Sequence, residues 1–149
     1  MFPYKKLKGL AEMNYFESVH GLVAWDERLQ SVKIEWNGFS HGDGFQAILM
    51  QGAELLRKKQ SGKVLMDIRQ GSVIKEEDKA WMADFFVQHV YKSGLQFLAM
   101  IEPGSVVAKL SVNRAVSAQG QLPYQQQSFS DLNEAVRWLN AAGNYAVVV

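Results

Sequence analysis

Residues 64–81 read VLMDIRQGSVIKEEDKAW and hold one complete strand-to-helix step. With Lys63 in front, KVLMDIR is a mostly apolar run of strand length, the pattern of a strand buried on both faces. Gln70-Gly71-Ser72 turns the chain. Glu76, Glu77 and Asp78 then place acids where the positive end of a helix dipole favours them. The spacing predicts a helix through EEDKAWMADFFVQHVYKSG, with Met82, Phe85, Phe86 and Val90 along one side and Gly94 as its stop.

Similar steps lie on either side. Upstream, GFQAILMQGAELLRKK sets Phe45, Ile48, Leu49, Leu55 and Leu56 at helical spacing, with Lys58 and Lys59 at the negative end of the dipole. Before it, GLVAWD and SVKIEW are joined by ERLQ and alternate as a hairpin, Val32, Ile34 and Trp36 on one face and Lys33 and Glu35 on the other. YFESVH adds a further short strand. Downstream, LQFLAMI is another buried strand, and Pro103 after it suits the start of a helix through VVAKLSVNRAV. A short glutamine-rich loop leads to YQQQSF, the final strand. In SDLNEAVRWLNAAG, Asp131 and Glu134 form a capping box, Leu132, Ala135, Val136 and Leu139 the apolar face, and Gly143 the stop. The succession predicts an α/β sandwich with a mixed sheet, antiparallel at the N-terminal hairpin and mostly parallel afterwards, flanked by about four helices. One domain spans residues 15–143, between an N-terminal extension (1–14) and a C-terminal tail (144–149).

The chain has 149 residues, enough for one sizeable core. Hydrophobic residues make up 48% and charged residues 21%, the balance of a globular protein. A net charge of +1 gives no electrostatic case for a nucleic acid partner. The absence of cysteine excludes disulfides and thiolate chemistry and is consistent with a cytoplasmic setting. MFPYKKLKGLAEM is basic but lacks the apolar run of a signal peptide, and no stretch approaches the roughly 18 apolar residues of a spanning helix.

Asp67 is the strongest candidate for a functional side chain, because an acid in an apolar strand needs a partner if buried. Arg69, two residues on, shares its strand face and is positioned to pair with it, as are backbone donors of the following loop. His20, His41 and His89 lack the short spacing that sets two metal ligands on one helix face, so neither a metal nor a cofactor is expected. QGSV and PGSV lack the second glycine of a nucleophile elbow, and no phosphate-loop motif is present. Gly104 and Ser105 offer backbone donors to a small anion at a helix start, or simply begin that helix. Trp36 and Trp138 read as core, whereas Trp81 lies one position off the apolar helix face, beside the acidic turn, at the edge of a groove or a dimer contact.

IEWNGF, VLMDIRQGSVIKEEDKAW, LQFLAMIEP, AKLSV and SFSDLNEAVRWL occur in an order that resembles small bacterial SpoIIAA-like domains of the STAS/SEC14 type, over roughly residues 20–140. The resemblance implies a SpoIIAA-like (STAS-type) sandwich that binds protein partners or small ligands. In the anti-sigma-factor antagonists of that wider group an Asp-Ser pair at the strand-to-helix turn carries a regulatory phosphoserine. Counted from Asp67, that pair falls on Lys75 and Glu76, so the phosphorylatable serine is missing. Glu76 is then either a fixed negative charge in its place or an acid favoured by the dipole.

The expectation is a non-enzymatic regulatory, protein-interaction or ligand-sensing module. Its site would be drawn from Asp67, Arg69, Ser72, Glu76, Trp81, Gly104 and Ser105, near the ends of the parallel strands. The alternatives are an apolar-ligand or lipid carrier, and a small hydrolase or isomerase using Asp67 or His89. A homodimer through a helix face or the N-terminal strand edge is plausible on the same reading.

Overall fold

Alternating and apolar runs build a six-stranded mixed sheet in the computed structural model, which describes residues 12–143. Strands β1 (Glu12–Ser18), β2 (Gly21–Asp26) and β3 (Ser31–Trp36) are antiparallel neighbours. Strands β4 (Lys63–Asp67), β5 (Phe97–Ile101) and β6 (Gln125–Phe129) continue from β3 in parallel. β1 takes in residues 12–14, which the sequence assigns to an extension; residues 1–11 and the tail 144–149 lie outside the described residues.

Spatial order equals chain order, β1-β2-β3-β4-β5-β6, and this decides where the helices go. Each crossover between parallel strands is right-handed as a rule, so successive steps in one direction lay their helices on one face. Helix α1 (Gly42–Lys59), helix α2 and helix α3 (Val106–Ala118) occupy that face. Helix α2 is continuous over residues 76–92: two α-helical parts, Glu76–Trp81 and Val87–Lys92, flank a π-helical turn, Met82–Phe86. Ile48, Leu49, Phe86, Val90 and Val112 there join Val32, Ile34, Val64 and Leu98 of the sheet in the main core. The opposite face receives helix α4 (Leu132–Ala141), whose Ala135 and Leu139 close over Leu65, Ala99, Ile101 and Phe129. Strands β4 and β5 are thus packed on both sides, as their apolar runs require. Because the strand order never reverses, the crevice that a reversal opens at the strand ends is not part of this sheet.

The helices sit at different distances from the sheet. Helix α1 lies close on β2 and β3, while α2 and α3 pack chiefly against each other. Gly52 permits the close approach, since a Cβ there would come within 2.6 Å of Ile34 Cδ1.

Three local expectations change. Phe85 is 45% exposed rather than on the inner side with Met82, Phe86 and Val90. The Val87 N–H reaches back five residues to the Met82 carbonyl, and this wider turn carries Phe85 away from Met82. Pro103 does not begin α3; it is buried ahead of Ser105, which is the N-cap and accepts from the Ala108 N–H at 3.1 Å through Oγ. Asp78 is not merely an acid of a first turn. It is 2% exposed, and both its oxygens accept from the Gly42 N–H, at 3.1 and 3.2 Å, so it caps α1 from outside.

Candidate functional site: a paired polar face and an apolar cavity

Asp67 closes β4 on the α4 side of the sheet, next to β3. It is 8% exposed, and Arg69 satisfies it. Arg69 donates from Nε to Oδ1 at 3.0 Å, from Nη2 to Oδ2 at 2.7 Å, and from its backbone N–H to Oδ1 at 3.0 Å. Both the side-chain pairing and the backbone donor of the following loop are those the sequence leads one to expect. Burial pushes the Asp67 carboxyl up, but the hydrogen bonds and charge of Arg69, with the charge of Lys33, outweigh it and hold its pKa below the usual value. On β3, Lys33 Nζ lies 3.1 Å from Glu12 and 3.0 Å from Glu35. Burial works against that ammonium, and the two carboxylates outweigh it, raising its pKa. Asp67, Arg69, Glu35 and Asn37 border a hollow of about 540 Å³ that Leu22 and Trp36 also line. A carboxylate held by a bidentate arginine and a backbone N–H is fixed in its charged form and is a poor proton acceptor.

The other sequence candidates do not join this pair. Ser72 lies on the helix-covered side, at the rim of a second cavity. Glu76 is exposed and reaches Lys79 Nζ at 3.0 Å. Trp81 stacks on Phe85 and Phe86, with ring centroids 5.6 and 5.3 Å apart. Gly104 and Ser105 are exposed at the start of α3, where the Ser105 hydroxyl is already engaged as a cap. His41 stacks on Phe39 and His89 on Phe85, at 5.5 and 5.2 Å, and His20 lies against Gly44 of α1. Among the described residues no group of three His, Asp or Glu side chains is disposed to hold a metal, and no helix is long and apolar enough to cross a membrane. Trp36 is buried as expected, and Trp138 is half-buried against Phe97 and Phe129.

The second cavity follows from the spacing of the layers. Where α2 and α3 lean on each other, a space of about 80 Å³ remains above β4 and β5. Its roof includes Met82 and Phe86, both supplied by the π turn, and its floor Met66, Leu98 and Met100. Turns of this kind concentrate at functional sites, which sets α2 apart from the other helices. Trp36 and Phe45, stacked at 5.0 Å, form one wall. At the rim, the Gly38 N–H donates to the Gln70 carbonyl at 2.7 Å. The Ile74 N–H donates to Ser111 Oγ at 2.9 Å, tying the loop after β4 to α3.

Two polar side chains stand at the far end, where α3 gives way to β6. Burial alone pushes the Tyr124 phenol up to about 12. Gln119 Oε1 is buried without a hydrogen-bond partner. No signal in the sequence marks this cavity, because its walls are made of the same residue types as the core. Comparison with protein-family models, curated proteins and solved structures returns no match.

Proposed function

We propose that this protein is a non-enzymatic ligand-sensing module of SpoIIAA-like type, and that it takes a small, mostly apolar ligand into the cavity under α2 and α3. The apolar cavity itself carries this reading: native interiors are close-packed, and a space of about 80 Å³ beneath a π turn departs from that. The strand and helix order that resembles the SpoIIAA-like domains supports the family part. The engagement of Asp67 by Arg69 supports a structural role for that pair and weighs against hydrolase chemistry.

Ligands that bind only the folded state raise its melting temperature, by an amount that grows with the logarithm of ligand concentration over the dissociation constant. Toluene and phenol at millimolar concentration are the probes, with Ala115→Leu as the variant, since Ala115 lines the space from α3. The reading predicts a rise in melting temperature that Ala115→Leu removes. No rise with either compound, or an equal rise in the variant, contradicts it.

The regulatory, protein-interaction reading draws on the outer side of α3, where Val106, Val107 and Leu110 are exposed together. Light scattering tests it: self-association that Val107→Asp disperses supports this surface, and a monomer at high concentration argues against a homodimer.

A further inference from the structure

The walls of the cavity are not equally firm. At its rim, Ile68, Gly71, Ser72, Val73 and Ile74 of the loop after β4 line the space together with Gly38 of the loop after β3. Two ties hold this loop in place. At one end Gly38 pairs with Gly71 in an isolated bridge, and the Gly38 N–H donates to the Gln70 carbonyl at 2.7 Å. At the other, Ser111 Oγ accepts from the Ile74 N–H at 2.9 Å and donates to the Ile74 carbonyl at 3.4 Å. Ser111 lies inside α3 and is 5% exposed. A serine in mid-helix commonly points to solvent or bonds back to the carbonyl four residues earlier. Here its hydroxyl serves a loop 37 residues away. Gly71 lets that loop seat closely, since a Cβ there would come within 2.7 Å of Ile68 Cγ2.

We infer that the loop after β4 is the gate through which a ligand enters and leaves the cavity, and that Ser111 is its latch. This rests on the proposal that the cavity is a ligand site, and adds how that site opens. The floor strands β4 and β5 are hydrogen-bonded to a neighbour on each side, so displacing either breaks a whole ladder. Helices α2 and α3 carry their own backbone ladders. Swinging the loop outward breaks only the two ties, and Val73 between them is already 37% exposed. Openings of low cost are drawn from such segments, and loops over a site commonly control entry and release. The opposite end of the cavity has less free chain to move. Gln119 there caps α3, and Tyr124 leads straight into β6, where the Gln125 N–H donates to the Gln96 carbonyl at 3.0 Å.

Ser111→Ala, with toluene as the probe, separates a latch from a wall. Exchange between free and bound protein, read on the methyl resonances of Met66, Met82 and Met100, gives the association and dissociation rates. A latch restrains the free and the bound protein alike. Its loss therefore speeds entry and exit together, by about ten-fold each, and leaves the dissociation constant unchanged. Hydrogen exchange of the free protein reads the same opening without ligand. The amides of Gly38 and Gly71, which Ser111 does not bond, exchange faster in Ser111→Ala, while those of Leu65 and Ala99 in the central strands keep their rates. Unchanged association and dissociation rates, or a weaker dissociation constant with association unaltered, overturn the gate and leave the ligand site standing. Gly38 and Gly71 amides that do not respond, or Leu65 and Ala99 amides that respond equally, overturn it as well. Methionine resonances that do not move with toluene overturn the ligand site and the gate with it.

Discussion

The two faces of the sheet treat empty space in opposite ways. The hollow beside β3 and β4 is the larger, and its Asp67 and Arg69 are paired with each other, while Lys33 nearby on the same face is held by Glu12 and Glu35. The space under α2 and α3 is smaller and nearly all apolar. Paired charges fix a surface in one arrangement, while an unfilled apolar space leaves room for a ligand. The contrast also separates the conspicuous charged residues from the residues argued to bind.

Substitution at the cavity wall gives the largest expected effect. Phe86→Ala enlarges the space and removes a buried ring, at a cost of about 3–5 kcal/mol in urea unfolding, and it relaxes the size limit so that a two-ring compound such as naphthalene binds. Unchanged stability would mean that Phe86 is not packed as a roof. Next comes Asp78→Ala, which strips the Gly42 N–H of its acceptor and should destabilise by about 1–2 kcal/mol. Glu77→Ala, exposed on the same turn, should change stability by less than about 0.5 kcal/mol. Equal effects would reduce Asp78 to a dipole acid like its neighbour.

Titration distinguishes the faces at opposite ends of the pH scale. The folded-state pKa of Asp67 is depressed, so its contribution is present above the carboxylate pKa of the unfolded chain and is lost as pH falls through the folded value. Asp67→Asn therefore costs about 1 kcal/mol at neutral pH, discounted because Arg69 is half exposed. The difference from the unaltered protein shrinks below about pH 4. The Tyr124 pKa is raised, from 10.0 to about 12, so its contribution is present below the unfolded value and is lost as pH rises through that interval. Tyr124→Phe flattens the alkaline limb of the stability profile and leaves the acid limb alone. A variant that altered both limbs would indicate that the faces are coupled.

Much of this architecture is legible in residue spacing. The alternation in SVKIEW, the apolar runs around Leu65 and Ala99, and the Asp131 cap predict strands and helices that are present, and the monotonic strand order accounts for a helix layer on one face. Asp67 with Arg69 is legible too, because two residues on an extended chain share a side. Asp78 is not, since its partner N–H lies 36 residues away, at Gly42. The cavity is less legible still. Periodicity says which side of a helix turns inward and nothing about how far that helix stands from the sheet, and that distance separates α1, seated through Gly52, from α2 and α3. The π turn escapes for a related reason: one widened turn changes the aim of Phe85 without disturbing the apolar pattern around it.

The proposed ligand site lies on the helix-covered face and not on the charged one. Chemical-shift changes of backbone amides and methionine methyls on addition of phenol separate the two faces. Binding in the cavity gives shifts concentrated at Met66, Met82, Met100 and Tyr124, with Asp67, Arg69 and Glu35 unmoved. Shifts centred on Asp67 and Arg69, with the three methionines silent, would contradict it.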